Sequence, residues 1–336
     1  MRAPFFWLSL LLAFQVGSQP LNFIPILNPS FEDHPGAGKL PNGWYFCGPV
    51  EETPPDIHPG GWFRVTKLAE EGQTYVGMVV RDNGTTESIG QGLNHAMVPG
   101  QCYHFRFYAA RSLEYFSVSR SSYQLTAFDQ PVRLQLWGAT KNCTERMLLA
   151  ESQTIDNPEW QPYDLRFQAT KAFDHIILQA TYAKQPAYNG SILLDRLSPL
   201  VEVAHCADTA PPTLPDIDLS SQSLSDLITQ IRFDPITEQM EPHYFKDASG
   251  QAHFVNKFLW QSLQLIRQSS PDKKLLFAVG GLNTTSIEAR MFSLQQMLLQ
   301  SGFNFKQFKI RPLKKQDKKK EWDGKNKAED LLIRMK

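Results

Sequence analysis

Three side chains able to hold a sugar lie at alternate positions of one short run: Arg133, Gln135 and Trp137. A pyranose has an apolar face and a polar rim, so an aromatic ring beside amide, guanidinium and carboxylate groups suits it. Val132, Leu134 and Leu136 interleave with the three, and a strand therefore turns the polar set away from its core side. Trp62, closing the turn-rich run 58–62, and Tyr188, preceding Asn189-Gly190, are loop aromatics expected to rim such a site. The competing reading buries Trp137 beneath a loop, since Trp is commonly highly buried.

Catalytic signatures are missing. No G-x-S-x-G, Walker loop, H-E-x-x-H or G-x-G-x-x-G occurs. Glu51-Glu52 and Glu70-Glu71 sit in polar loop sequence, whereas a glycosidase needs two carboxylates at a fixed separation in a cleft. The chain is read as non-catalytic, with a glycan hydrolase as the remaining alternative. The four cysteines, Cys47, Cys102, Cys143 and Cys206, show no zinc spacing. In an exported chain they form two disulfides, with three connectivities open.

Export is expected from the N-terminus. Arg2 precedes an apolar run at 5–14, and Val16-Gly17-Ser18 supplies small residues for cleavage, so 1–18 reads as a signal peptide. A ten-residue apolar run is too short to cross a bilayer, and no other segment reaches the length of a span. The 336 residues carry 34 basic and 34 acidic side chains, which removes any global reason to bind nucleic acid. That balance hides an asymmetry: residues 1–218 sum to −7 and residues 219–336 to +7, as if two pieces were joined.

The elements expected to position the candidate residues differ between the pieces. Residues 20–203 alternate apolar and polar in short runs between Gly, Pro and Asn clusters. Tyr103, Phe105 and Phe107 face one way and His104 and Arg106 the other, and runs 163–168 and 176–182 behave likewise. This is half-buried antiparallel sheet, of a length that suits a two-sheet sandwich or jelly roll. Asn28-Pro29-Ser30-Phe31-Glu32, Gly43-Trp44-Tyr45, the 72–80 run, 87–91, Trp160-Gln161-Pro162-Tyr163 and Leu193-Leu194-Asp195-Arg196-Leu197 together resemble the galactose-binding-like jelly roll, a family that includes many carbohydrate-binding modules. The resemblance implies a structural Ca²⁺ held by Glu32 and Asp195. Two carboxylates fall short of six to eight oxygens, so a simple hydrogen-bonding role stays open.

Residues 204–223 contain Pro211, Pro212 and Pro215 among polar residues and read as a stiff linker. Beyond it, 227–233 is expected as a strand. Val255, Phe258, Leu259, Leu263 and Ile266 form a helical stripe, 275–279 a buried strand, and Ile287, Met291, Leu294 and Leu298 a second stripe capped by Ser286 and stopped by Gly302. With strands near 306–311 and 331–335 the order is βαβαβ, a small α+β domain over 224–336 with both helices on one side of its sheet. Ile231-Arg232-Phe233-Asp234, Val279-Gly280-Gly281, and Arg290 followed by Leu294, Leu298 and Gly302 resemble the OmpA C-terminal domain, a peptidoglycan-binding module. In that family a strand-end Asp and a helix Arg hold a diaminopimelate group. Arg290 stands at the Arg position. Asn283 falls at or near the Asp position and has no charge for an ammonium, so the ligand chemistry is expected to be degenerate. Lys314, Lys315, Lys318, Lys319, Lys320, Lys325 and Lys327 make a basic run, read as a solvated loop.

The combined expectation is an exported protein of the periplasm or cell envelope, or a secreted one. Its jelly roll recognises glycan, and its OmpA-like domain attaches to peptidoglycan or docks on another envelope protein. The alternative is a secreted lectin-like protein whose C-terminal domain is structural.

Overall fold

The computed structural model describes residues 22–217, 222–319, 322–326, 328 and 330–336. The expected leader lies outside the described residues, as do Lys320 and Lys327 of the basic run. No helix among the described residues is long and apolar enough to cross a membrane.

The N-terminal part is a jelly-roll β-sandwich. In its first sheet the long strand Cys102–Ala110 pairs along its length with Gln161–Gln168. Its other edge pairs first with Leu200–Val203 and then with Gly190–Asp195, and the sheet continues through Tyr75–Val80 to Asp56–His58. The second sheet runs in the order Thr144–Glu151, Val132–Lys141, His175–Tyr182, Ser88–Gly92, Tyr45–Phe46. The core lies between the sheets. Tyr103, Phe105 and Phe107 enter it from one side, and Val132, Leu134, Leu136, Ile176 and Leu178 from the other. Each fully buried side chain of this kind contributes roughly 1.5–3 kcal/mol relative to exposure.

Two disulfides pin the sandwich, Cys47–Cys143 and Cys102–Cys206, with Cα separations of 5.1 and 5.3 Å. The first joins the edge strand Tyr45–Phe46 to the turn between Val132–Lys141 and Thr144–Glu151. The second joins the long central strand to the chain just beyond the closing strand.

The C-terminal part differs from expectation at its start. Residues 227–233 are not a strand: α1 spans Leu224–Gln230, with the Ser223 side chain accepting from the Asp226 N–H at 3.2 Å as its cap. A hairpin of His243–Lys246 and Ala252–Val255 follows, which the sequence reading did not anticipate. Then come α2 at Lys257–Ser269, strand Leu275–Val279, α3 at Thr284–Gln300, strand Phe308–Pro312 and strand Leu331–Met335. Phe308–Pro312 pairs parallel and Leu331–Met335 antiparallel with Leu275–Val279. Leu275, Phe277 and Val279 share one core with Leu259 and Leu263 of α2 and Leu294 and Leu298 of α3, so both helices cover the same face of the sheet.

The linker is less free than its prolines imply. Pro215 O accepts from Lys246 N at 3.1 Å and Ile217 N donates to Lys246 O at 3.2 Å, so this stretch lies along the hairpin's edge. The same hairpin packs on the jelly roll, where Tyr244 and Phe254 meet Val201 and Phe23. Arg196 Nη2 donates to Ala252 O at 2.7 Å, and Gln296 Nε2 of α3 donates to Glu32 O at 3.1 Å.

Candidate functional site

Strand Val132–Lys141 presents Arg133, Gln135 and Trp137 on the side of its sheet away from the core, while Val132, Leu134 and Leu136 are fully buried. The neighbouring strands add the rest of the surface. Register sets Trp137 opposite Leu148 and Ile177, and Gln135 opposite Glu151 and Gln179. Glu151 receives Arg133 Nη1 at 2.8 Å and Gln135 Nε2 at 2.7 Å. Burial alone would raise the Glu151 pKa, but these donors outweigh it and hold the carboxyl below its usual range. Arg146 lays its guanidinium over the Trp137 ring at 4.7 Å and reaches Gln179 Oε1 at 3.2 Å. One ring face is therefore covered by a cation that must share or yield the stacking position.

Towards the other edge Gly90 makes room for an aromatic ring. A Cβ there would lie 2.4 Å from the Tyr45 ring and 3.0 Å from Cys47 Sγ. Tyr45 thus lies on the sheet, with its ring 6.3 Å from His175, beside the Cys47–Cys143 bond. Burial and the nearby Asp174 push the Tyr45 hydroxyl up to about 12. Trp137 Nε1 and Tyr45 Oη are both occluded and hydrogen-bond to nothing among the described residues. The surface is an aromatic–guanidinium–amide face, chemically suited to hydroxyl-rich ligands.

The two loop aromatics do not join it. Trp62 is 48% exposed and sits in the Trp62–Arg64 turn, whose Phe63 stacks on Tyr115 on the first sheet's side of the sandwich. Tyr188 is half-buried and packs against the core; its hydroxyl donates to Pro131 O at 2.6 Å and accepts from Ala183 N at 2.7 Å, which makes it a loop brace.

Glu32 and Asp195 do meet, around the 70–74 turn. Glu32 Oε1 accepts from Gln73 N at 2.7 Å, Asp195 Oδ2 accepts from Glu70 N and Glu71 N, and Asp195 Oδ1 accepts from Arg196 N. Burial pushes Glu32 up to about 8 against these donors, and burial beside Glu32 and Glu71 pushes Asp195 well above its usual range. Calcium would need these lone pairs turned toward one point. Three of the four oxygens already face N–H groups and hold the turn by hydrogen bonds; the fourth, Glu32 Oε2, is buried without a partner among the described residues, so the pair offers one open oxygen where calcium takes six to eight. Gly72 completes it at φ +70°, where a Cβ would fall 1.8 Å from Glu32 Oε1. Among the described residues no group of three or more His, Cys, Asp or Glu side chains is arranged to hold a metal.

In the C-terminal part Asn283, rather than Ser286, caps α3, accepting from Ser286 N at 2.9 Å. Arg290 is 8% exposed. Its Nε bonds Glu238, its Nη1 bonds Asp330 and Gly280 O, and its guanidinium lies 5.1 Å from the Phe233 ring. The arginine expected to meet a diaminopimelate carboxylate is committed to two acids of its own domain.

A second polar cluster, which the sequence reading missed, lies on the opposite outer face of the sandwich, on the first sheet. Arg81 joins Glu52 at 3.3 Å and also bonds Glu87, Arg120 reaches Glu52 at 2.6 Å, and Tyr115 bonds Asp56. His58 is fully buried with neither ring nitrogen hydrogen-bonded to a described residue, and burial lowers it to about 4. Phe63, Tyr115 and Phe128 cluster over this face. The seven residues come from three separated segments, 52–58, 81–87 and 115–120, and no spacing signal links them.

No protein-family model and no curated protein matches the chain. Among solved structures it is similar to the Stig cyclase Fisc from Fischerella sp. TAU, with 14% identity over 55% of this chain and 98% of that one at a TM-score of 0.36. It is also similar to the K2 cleaved adhesin domain of Lys-gingipain, with 11% identity over 53% and 97% at 0.34. A third is the C-terminal family 22 carbohydrate binding module of Clostridium thermocellum Xyn10B, with 14% identity over 55% and 100% at 0.29.

Proposed function

We propose that this chain is an exported, non-catalytic glycan-binding protein that uses the outer face of its second sheet for recognition, with the C-terminal unit as a structural or docking domain. The observation that carries the reading is the grouping of Trp137, Arg146, Gln179, Arg133, Gln135 and Glu151 on one side of a sheet whose other side is core. Paired disulfides accord with an oxidising compartment. Attachment to peptidoglycan through Arg290 gains nothing from the geometry, because that guanidinium is already neutralised internally. This favours the lectin-like alternative over a peptidoglycan anchor.

A glycan array followed by calorimetry on wild type and Trp137→Ala tests the reading. A glycan bound by wild type and weakened at least about tenfold by the substitution is expected, given the worth of a buried aromatic contact. A bound glycan indifferent to Trp137→Ala places recognition elsewhere. Unfolding of the variant by circular dichroism would show that Trp137 serves the fold.

A further inference from the structure

Between the two domains lies a cavity of about 480 Å³, within the range of small-ligand sites. It is separate from the Trp137 face. Its helical wall is unusual for a buried surface. Helix α3 turns Leu294 and Leu298 into its own core, but it also buries Ser293, Gln296 and Gln300, at 6, 5 and 6% exposure, on a second stripe spaced i, i+3, i+7. All three line the cavity.

Two of the three have structural duties. Ser293 Oγ accepts from Met240 N at 2.8 Å, and Gln296 Nε2 donates to Glu32 O. A carbonyl can only accept, so the Gln296 amide is fixed in that orientation, and its buried Oε1 is left without a donor among the described residues. The Gln300 amide bonds to no described residue and yet is not sealed off, as expected of a group facing the cavity. Asn94 of the jelly roll and Gln239 of the second domain add two more side-chain amides with no intrachain partner among the described residues. Phe23, Phe254, Phe292 and Met297 supply apolar wall. No Lys or Arg lines the space, while Asp234 and Glu241 do, which disfavours an anion.

From this lining we infer that the domain junction is a binding site for a neutral mono- or disaccharide. Amides both donate and accept, which matches hydroxyl groups, and the aromatic wall suits the apolar face of a sugar ring. Both domains contribute lining, so an occupant also ties them together.

Calorimetric titration of the full chain with cellobiose and with N,N′-diacetylchitobiose, beside a uronic-acid disaccharide as anionic control, tests the site. Wild type should bind at least one neutral disaccharide and not the acidic one. Gln300→Leu, of similar volume, should weaken binding about five- to tenfold, the worth of one or two neutral hydrogen bonds, while Lys309→Ala, at an exposed position outside the cavity lining, leaves it unchanged. Asn94→Leu, at an exposed position, gives the same readout if Gln300→Leu fails to fold. Three results would overturn the inference: no binding of either neutral disaccharide at millimolar concentration, preference for the acidic one, or loss in Trp137→Ala with retention in Gln300→Leu. The last would leave the Trp137 face standing alone.

Discussion

The two outer faces of the sandwich begin from the same rule of alternation and end differently. On the second sheet, strand Val132–Lys141 keeps its alternating pattern of burial, so its outward side chains meet solvent. On the first sheet, strands Tyr75–Val80 and Gly190–Asp195 are buried at every position, because Tyr115, Phe128 and the Phe63 turn cover the outer face. Charged residues follow the cover. The open face holds Arg133 and Glu151 as a half-exposed pair, whereas the covered face encloses Arg81, Glu52 and Glu87. The lesson is that a polar cluster on a strand face points to a ligand only where nothing else of the chain lies over it.

Substitutions on the two faces can break this contrast. Arg81→Ala leaves Glu87 buried without its cation, while Glu52 keeps Arg120, and should cost about 3–5 kcal/mol in urea denaturation. A loss below about 1 kcal/mol would show that water reaches the covered face after all. Replacing both Cys47 and Cys143 by Ser removes the covalent strap across the open face. With the two cysteines 96 positions apart in sequence, a loss of about 2–4 kcal/mol is expected, read as a lower Tm than in wild type.

The covered face should also titrate. His58 has its pKa lowered to about 4 by burial, so the native state holds fewer protons than the unfolded chain between that value and the ordinary histidine value of 6.5. Its contribution to stability is present above about 6.5 and is lost as pH falls toward 4. His58→Phe, which leaves no unsatisfied nitrogen, should flatten the acid limb of a stability–pH curve without lowering stability at pH 7. An unchanged acid limb would assign it to other groups. The smallest effect belongs to the open face: Arg133→Ala breaks a partly exposed pair and should cost under about 1 kcal/mol of stability, so a weaker glycan affinity in that variant would report contact rather than folding.

Much of the first domain was legible, because alternation is a local property. The run from Val132 to Trp137 names its own buried and exposed sides. What lies beside it is set by strand order, so Arg146, Glu151, Gln179 and Tyr45 could not be read as its neighbours. Trp62 and Tyr188 were misplaced for the same reason. Glu32 and Asp195 were found as a pair, but their partners are backbone N–H groups of the 70–74 turn, which no side-chain pattern reveals. The error at 227–233 was avoidable: Ser223 followed by Asp226 is a helix-cap spacing, and the apolar residues after it fit a short helix as well as a strand. Arg290 was legible as a special arginine, but Glu238 and Asp330, which neutralise it, lie 52 and 40 residues away.

The Cys102–Cys206 bond has a mechanical consequence. The second domain hangs from the chain that leaves the closing strand Leu200–Val203, and a pull on that strand alone would unzip it from its neighbour one backbone hydrogen bond at a time. Cys206 lies just past that strand and is bonded to the first residue of Cys102–Ala110, a strand paired on both edges. Tension arriving from the second domain therefore passes through sulfur into the middle of the sheet, loading many hydrogen bonds together and shielding the seam that would otherwise tear first.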